Sequence, residues 1–146
     1  MKTVKTINLG NKLVFAAGIA AVALASTGGV AHAYIGQKVN IPSVHGCASG
    51  TGSLTGQSNS SSRGQIYLRN TCGGRKYYVQ IKLAIPNSPD FAAWQKVDAE
   101  INGAGSRTFN WSDSHSRVYN GVKFRICWQR GLQGDECGGE SPTIKR

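Results

Sequence analysis

Four cysteines are the feature that most restricts how this 146-residue chain can fold. They are Cys47, Cys72, Cys127 and Cys137, an even number within the last hundred residues. In a small domain outside the cytoplasm, such a set predicts two disulfides that reinforce a thin core. We favour the sequential pairing, Cys47–Cys72 and Cys127–Cys137, although the sequence alone leaves the two other pairings open.

The same cysteines do not fit a metal centre or a redox motif. No two of them have the C-x-x-C spacing, and His45 and His115 lack the spacing to a cysteine that zinc sites use. Nine residues separate Cys127 from Cys137, which is unlike a thioredoxin-type pair. We therefore predict no metal and no cofactor.

The first 33 residues indicate export, the condition under which such cysteines oxidise. Three lysines precede an uncharged run over residues 13–25, and Ala31 and Ala33 form a small-x-small cleavage pattern. The apolar run is shorter than the roughly 20 residues of a membrane-spanning helix. We predict that residues 1–33 are a secretory signal peptide and that residues 34–146 form a single extracellular β domain.

The exported part is strongly basic. Removing the three lysines of the leader leaves 14 basic residues against seven acidic ones, a net charge near +7. A charge of this sign and size attracts anionic partners through its long-range field. We therefore expect a protein partner or an anionic cell-surface polymer, with nucleic acid as a weaker candidate.

Two segments alternate apolar and polar residues with the period of a β-strand. Residues 76–85 place five apolar side chains on one face, and residues 122–129 repeat the pattern. Residues 66–77, around the sequence CGG, suggest a hairpin, and the Gly/Ser-rich residues 46–64 suggest a flexible loop. We predict a mostly β fold, a small antiparallel sandwich or barrel with two disulfides.

Residues 91–101 fit two descriptions. Helical spacing groups Phe91, Trp94, Val97 and Ile101, and Asp90 is a suitable N-cap. Two short strands of the same total length are the alternative. The helical grouping is the one we favour, which adds one short helix to the β fold.

The polar faces of the two clear strands form the first candidate binding site. They carry Lys76, Tyr78 and Lys82 on one strand, and Lys123 and Arg125 on the other. If the two strands pair, these side chains share one cationic face. Arg69, Arg75 and Tyr67, near the expected hairpin, are predicted to border that face.

The second candidate is the loop between Cys127 and Cys137. We predict that Arg130 and Leu132 project from this turn, while Trp128 packs into the core because it alternates with inward residues of its strand. Arginine is enriched among residues that dominate interfaces, and a disulfide lowers the ordering cost of docking. This arrangement is typical of an inhibitor that offers a fixed loop to an extracellular hydrolase.

Evidence for catalysis is weaker. Asp113, Ser114 and His115 are adjacent in sequence, whereas the members of a catalytic triad converge from separate elements. A nuclease set of Glu100, Arg107 and His115 is the other enzymatic interpretation. We therefore predict a secreted non-enzymatic binding protein, with a cationic antimicrobial protein or toxin, including a small nuclease, as the alternative.

Overall fold

Two antiparallel sheets pack face to face in the computed structural model, which describes residues 36–145. The first sheet has the order β1-β2-β3-β6, with β1 at Lys38–Val44, β2 at Ala48–Gln57, β3 at Ser61–Asn70 and β6 at Gly105–Ser114. The second has the order β5-β4-β7-β8, with β4 at Lys76–Leu83, β5 at Gln95–Asn102, β7 at Gly121–Trp128 and β8 at Glu136–Cys137. A short β9, Ile144–Lys145, also pairs with β7. The predicted antiparallel β sandwich is confirmed.

The core lies between the sheets and is built by the alternation seen in the sequence. On β4 the inward side chains of Tyr77, Val79 and Ile81 are completely buried. Phe124 of β7 reaches across to Trp111 of β6, and the two rings meet edge to face with centres 5.8 Å apart. Each such large apolar side chain stabilises the fold by roughly 1.5–3 kcal/mol on burial.

Both predicted disulfides are present in the pairing that we favoured. Cys47–Cys72 joins the chain before β2 to the turn between β3 and β4, and Cys127–Cys137 joins β7 to β8. The second bond closes a ten-residue separation that contains a 3-10 turn at Gly131–Gln133. The loop that bears Arg130 and Leu132 is therefore attached at both ends to the second sheet.

The helix predicted over residues 91–101 is wrong, and no α-helix occurs within residues 36–145. Residues 95–102 form β5, whose inward side chains Val97 and Ala99 are buried. Helical spacing grouped Phe91 and Trp94 with Val97, but the strand places these aromatic residues ahead of a shorter apolar face. The polar positions that argued against a strand are the solvent side of β5.

The hairpin predicted over residues 66–77 is also wrong. β3 pairs with β2 and β6, whereas β4 pairs with β5 and β7, so the CGG turn passes between the two sheets. The flexible loop predicted over residues 46–64 is replaced by β2 and the start of β3. Glycines suit these positions because Gly52 faces the Phe124 ring, where a Cβ atom would lie 2.6 Å from the ring.

The predicted signal peptide lies outside the described residues. Within residues 36–145, no helix has the length and apolar character needed to cross a bilayer.

Candidate binding site: a cationic sheet face and a braced loop

The predicted cationic face exists because β4 and β7 are hydrogen-bonded neighbours. Their register places Lys82 opposite Lys123, and Gln80 opposite Arg125. Tyr78 lies one step further along β4, opposite Cys127. All five side chains point away from the core, so the outer surface of β4 and β7 carries three of the predicted cations side by side. We call this surface, with the adjoining part of β5, the cationic face.

Two aromatic rings that the sequence analysis assigned to a helix lie on this face. The guanidinium carbon of Arg125 is 4.2 Å from the centre of the Trp94 ring, and Lys82 Nζ is 5.3 Å from it. The Lys123 ammonium lies 4.7 Å from the centre of the Phe91 ring. Contacts of this kind contribute from about 0.5 kcal/mol at exposed sites to about 2 kcal/mol where water is excluded. The rings hold the cations in defined positions.

The aromatic rings reach the face because the chain stays extended before β5. Ala84 and Phe91 form an isolated antiparallel bridge, and the Ala92 amide donates to the Leu83 carbonyl at 2.9 Å. The segment therefore continues the line of β5 alongside β4. The alternation of Val97, Ala99 and Ile101 was the sequence signal that could have identified this strand.

Carboxylates neutralise part of the face. Glu140 bridges Lys123 at 3.0 Å and Lys82 at 3.8 Å, and hydrogen bonding from Lys123 holds the pKa of Glu140 below its usual value. Glu100 contacts Lys76 at 2.6 Å and Lys96 at 2.9 Å. Hydrogen bonds from these two lysines, Lys76 first, lower the pKa of Glu100.

Arg125 differs from the lysines around it. Its Nε donates to Gln80 Oε1 at 2.8 Å, and no carboxylate of residues 36–145 lies within ion-pair distance of its guanidinium. Its positive charge is therefore the least compensated on the face. It is also held on two sides, by Gln80 and by the Trp94 ring.

A groove of about 610 Å³ adjoins the face at its Phe91 end. Phe91, Lys123 and Lys145 line it together with Asn120 and Thr143. The wall thus combines one aromatic ring with two ammonium groups and several hydrogen-bonding side chains. Such a wall can accept a polar or acidic side chain of a partner.

The loop closed by Cys127–Cys137 borders the opposite end of the face. Its residue Asp135 accepts a hydrogen bond from the Tyr78 hydroxyl at 2.5 Å. Burial, followed by this hydrogen bond, raises the pKa of Tyr78 to about 12. The bond therefore connects the loop directly to a residue of the cationic face.

Arg130 braces the loop from within. It donates to Glu136 Oε2 at 3.1 Å and to Gln133 Oε1 at 2.8 Å, and Glu136 also meets His45 Nε2 at 2.9 Å. Leu132, at the tip between these braces, is fully exposed. Large apolar side chains in full contact with water are favoured in contact sites, because covering them is favourable. The predicted projection of Leu132 is therefore present, whereas Arg130 acts first as a brace.

Trp128 is only half buried. Its ring packs on the edge of the core and lies between two guanidinium groups, with Arg75 at 4.5 Å and Arg130 at 5.1 Å from the ring centre. The predicted packing into the core describes one side of the ring. Arg75 therefore borders the loop end of the face, as the sequence suggested.

Other predicted residues lie elsewhere. Tyr67 and Arg69 belong to β3, so they lie on the outer surface of the opposite sheet and do not border the cationic face. Arg107 and His115 are eight residues apart along β6 and its end, a distance of about 26 Å in an extended chain. Glu100 is held by two lysines on β4 and β5. The structure does not gather the nuclease set into one cleft.

His115 makes a different contact. Its Nε2 lies 3.0 Å from the hydroxyl oxygen of Ser62, which resembles the serine–histidine pair of a catalytic triad. Ser62 is completely buried and also accepts a hydrogen bond from Gln57 at 3.2 Å. A substrate in solvent cannot reach this hydroxyl, so the pair is part of the packing at the end of the first sheet.

No protein-family model matches the chain, and no curated protein matches it either. Among solved structures, β-glucosidase 3B from Thermotoga neapolitana in complex with glycerol is similar at 14% identity over 75% of this chain, with a TM-score of 0.33. The similar region spans 17% of that much longer chain. A likeness at this level carries no argument about function.

Proposed function

We propose that the protein is exported and acts as a non-enzymatic binding protein. In this proposal the braced loop and the cationic face contact one extracellular protein, and a hydrolase is the partner class to test first. The observation that carries the proposal is the fully exposed Leu132 at the tip of a loop fixed by a disulfide and by Arg130. Export is supported by the two disulfides, which form in oxidising compartments.

The energetic argument concerns order before binding. A flexible loop loses conformational freedom when it docks, at roughly 0.5–1.5 kcal/mol for each immobilised side chain. Here Arg130 is already hydrogen-bonded to both Gln133 and Glu136 in the free protein. The loop therefore presents Leu132 without most of that entropic penalty. A loop that is ordered in this way can dock into the cleft of an enzyme with little further loss of freedom.

The cationic face supplies the second part of the argument. It continues from Tyr78, which is bonded to the loop, to Lys82 and Lys123 four residues further along the strands, about 13 Å away. Arg125 stands in the middle with no carboxylate partner in the described chain. A partner with an acidic rim beside an apolar pocket matches this combination, and the attraction of opposite charges would accelerate association.

The experiment is affinity capture from extracellular fluid, followed by measurement of the complex. Wild type, a Leu132→Ala/Arg130→Ala variant and an Arg63→Ala control, which alters an exposed side chain of β3 in the other sheet, are immobilised and compared. We expect wild type and control to retain the same protein in a 1:1 complex that inhibits its hydrolytic activity, and the loop variant to lose it. Equal capture by the loop variant, or no stoichiometric complex at any salt concentration, would contradict the proposal.

The antimicrobial alternative makes a different prediction. A protein that acts through its net charge should inhibit growth of competing cells, and high salt should weaken the effect. Leu132→Ala leaves the charge unchanged and should leave that activity unchanged. Leu132→Ala alone, measured in both the capture and the growth assay, therefore separates the two functions.

A further inference from the structure

The outer surface of the β1-β2-β3-β6 sheet takes no part in the proposed function, yet its composition is unusual. The strand registers align its outward residues in three rows across the sheet. These rows are Lys38, Ser53, Gln65 and Asn110; Asn40, Thr51, Tyr67 and Thr108; and Ser49, Arg69 and Ser106. Apart from Ser53, which is buried, these rows place hydroxyl and amide side chains around one aromatic ring, with a cation in each outer row. Arg63 and Ser112 form a further outward pair beyond the Lys38 row.

Tyr67 stands in the middle row and is 40% exposed. A shallow groove of about 260 Å³ on one side of it is lined by Lys38, Gln65 and Thr108. Another of about 300 Å³, on its other side, is lined by Asn40 and Arg69. The phenol ring therefore divides two grooves, each of which contains one basic side chain.

The charge on this surface is of one sign. At the outward positions of the four strands, Lys38, Arg63 and Arg69 are basic and no residue is acidic, because Asp113 lies, like Arg107, on the same side of β6 as Trp111. Lys38 and Arg69 form no ion pair with any carboxylate of residues 36–145. This surface differs from the cationic face, where Glu100 and Glu140 each form ion pairs with two lysines.

These features favour a carbohydrate over other ligands. The C–H face of a sugar ring stacks on a single aromatic ring, and its hydroxyls match the amide and hydroxyl side chains of the rows. A protein interface would need an apolar, desolvated centre, whereas Tyr67 is the one large exposed apolar side chain on this sheet among residues 36–145. Single-stranded nucleic acid uses several aromatic rings to stack successive bases, and one ring provides only one such position.

We propose that this surface binds an acidic polysaccharide, with one sugar stacked on Tyr67 and the carboxylates of neighbouring sugars held by Lys38 and Arg69. The rows of Lys38 and Arg69 lie four residues apart on β3, a separation of about 13 Å along the strands. That length accommodates a short stretch of polymer lying across the middle row. The ligand is recognised as an extended chain of anionic sugars.

The two sites face opposite directions because the sheets pack back to back, about 10 Å apart. A polymer on the first sheet would not obstruct a protein on the cationic face and the loop. The chain would then hold to an acidic surface polymer while it presents Leu132 outward. Either site can fail its test without affecting the other.

The test is calorimetric titration of the purified exported protein, with both disulfides intact, using polygalacturonate as the acidic polysaccharide. Dextran serves as the neutral comparison and an oligo-dT of 20 nucleotides as the nucleic acid. Variants are Tyr67→Ala, Tyr67→Phe and Lys38→Gln/Arg69→Gln, and the matched control is Lys82→Gln/Arg125→Gln on the opposite sheet. Because all the altered β1 and β3 side chains are exposed, circular dichroism should show unchanged folding.

We expect polygalacturonate to bind more tightly than dextran or oligo-dT. Tyr67→Ala and the double charge variant should each weaken it by about tenfold or more, which corresponds to about 1.4 kcal/mol. Tyr67→Phe and the opposite-face control should retain wild-type affinity. No binding to polygalacturonate, equal affinity for dextran or oligo-dT, or a larger loss in the control than in the Lys38/Arg69 variant would overturn the proposal.

Discussion

Replacing Cys127 and Cys137 together with alanine should release the loop that carries Leu132. In the chain-entropy picture, a bond that closes a ten-residue separation stabilises the fold by about 3 kcal/mol. The hydrogen bond from Tyr78 to Asp135 remains available, but it then has to order a free segment. We expect the free energy of unfolding to fall by about 3 kcal/mol and the melting temperature by roughly 10–20 °C.

The matched control is the Cys47→Ala/Cys72→Ala variant. That bond closes a 25-residue separation, so its loss should destabilise the fold by a comparable amount, about 3–4 kcal/mol. Urea denaturation measures both losses, and hydrogen exchange under native conditions measures the order of residues 129–136. We expect those residues to lose protection only in the variant that lacks Cys127 and Cys137. Equal protection of the loop in both variants would refute the argument that this disulfide orders it.

Three further outcomes follow from named contacts. Because the pKa of Tyr78 is raised to about 12 from its ordinary 10, the folded state favours the neutral phenol, so stability should fall as pH rises from 10 to 12, and Tyr78→Phe should reduce that dependence in urea titrations. Gly52→Ala places a methyl group against the Phe124 ring and should destabilise the fold by about 1–3 kcal/mol in the same assay. Since lysines lower the pKa values of Glu100 and Glu140, the stabilisation from these pairs is present above pH 4.5 and should be lost as pH falls below it, a loss that thermal melts between pH 3 and 6 can detect.

Strands with a complete apolar face could be predicted from the sequence. β4 and β7 each place several large apolar residues at a period of two, which puts them all on one side of a β-strand but spreads them around an α-helix. Their pairing brought Lys82, Arg125 and Lys123 together as predicted. The sequential disulfide pairing that we favoured is also present, although the four cysteines alone left two other pairings open.

Local signals failed where long-range packing decides the structure. β2 is rich in glycine and serine, which suggests a loop, yet its neighbours β1 and β3 provide hydrogen bonds along its length. Gly52 leaves room for the Phe124 ring, a requirement that only the folded core reveals. The CGG turn resembles a hairpin locally, but the partners of β3 and β4 lie in different sheets.

The aromatic residues of the cationic face were missed for a related reason. Phe91 and Trp94 fit a helical stripe together with Val97, and the cations on which they pack are distant in sequence. Arg125 and Trp94 are 31 positions apart, so no local pattern joins them. Their association depends on the pairing of β4 with both β5 and β7.

The proposed function depends on a loop that is already ordered in the free protein, and nitrogen-15 relaxation of residues 129–136 measures that order directly. The Cys127–Cys137 bond, the Arg130 contacts and the Tyr78–Asp135 hydrogen bond predict backbone order parameters near 0.85, equal to those of β4 and β7. Values below about 0.6 at Gly131 and Leu132 would show a flexible tip and contradict the account.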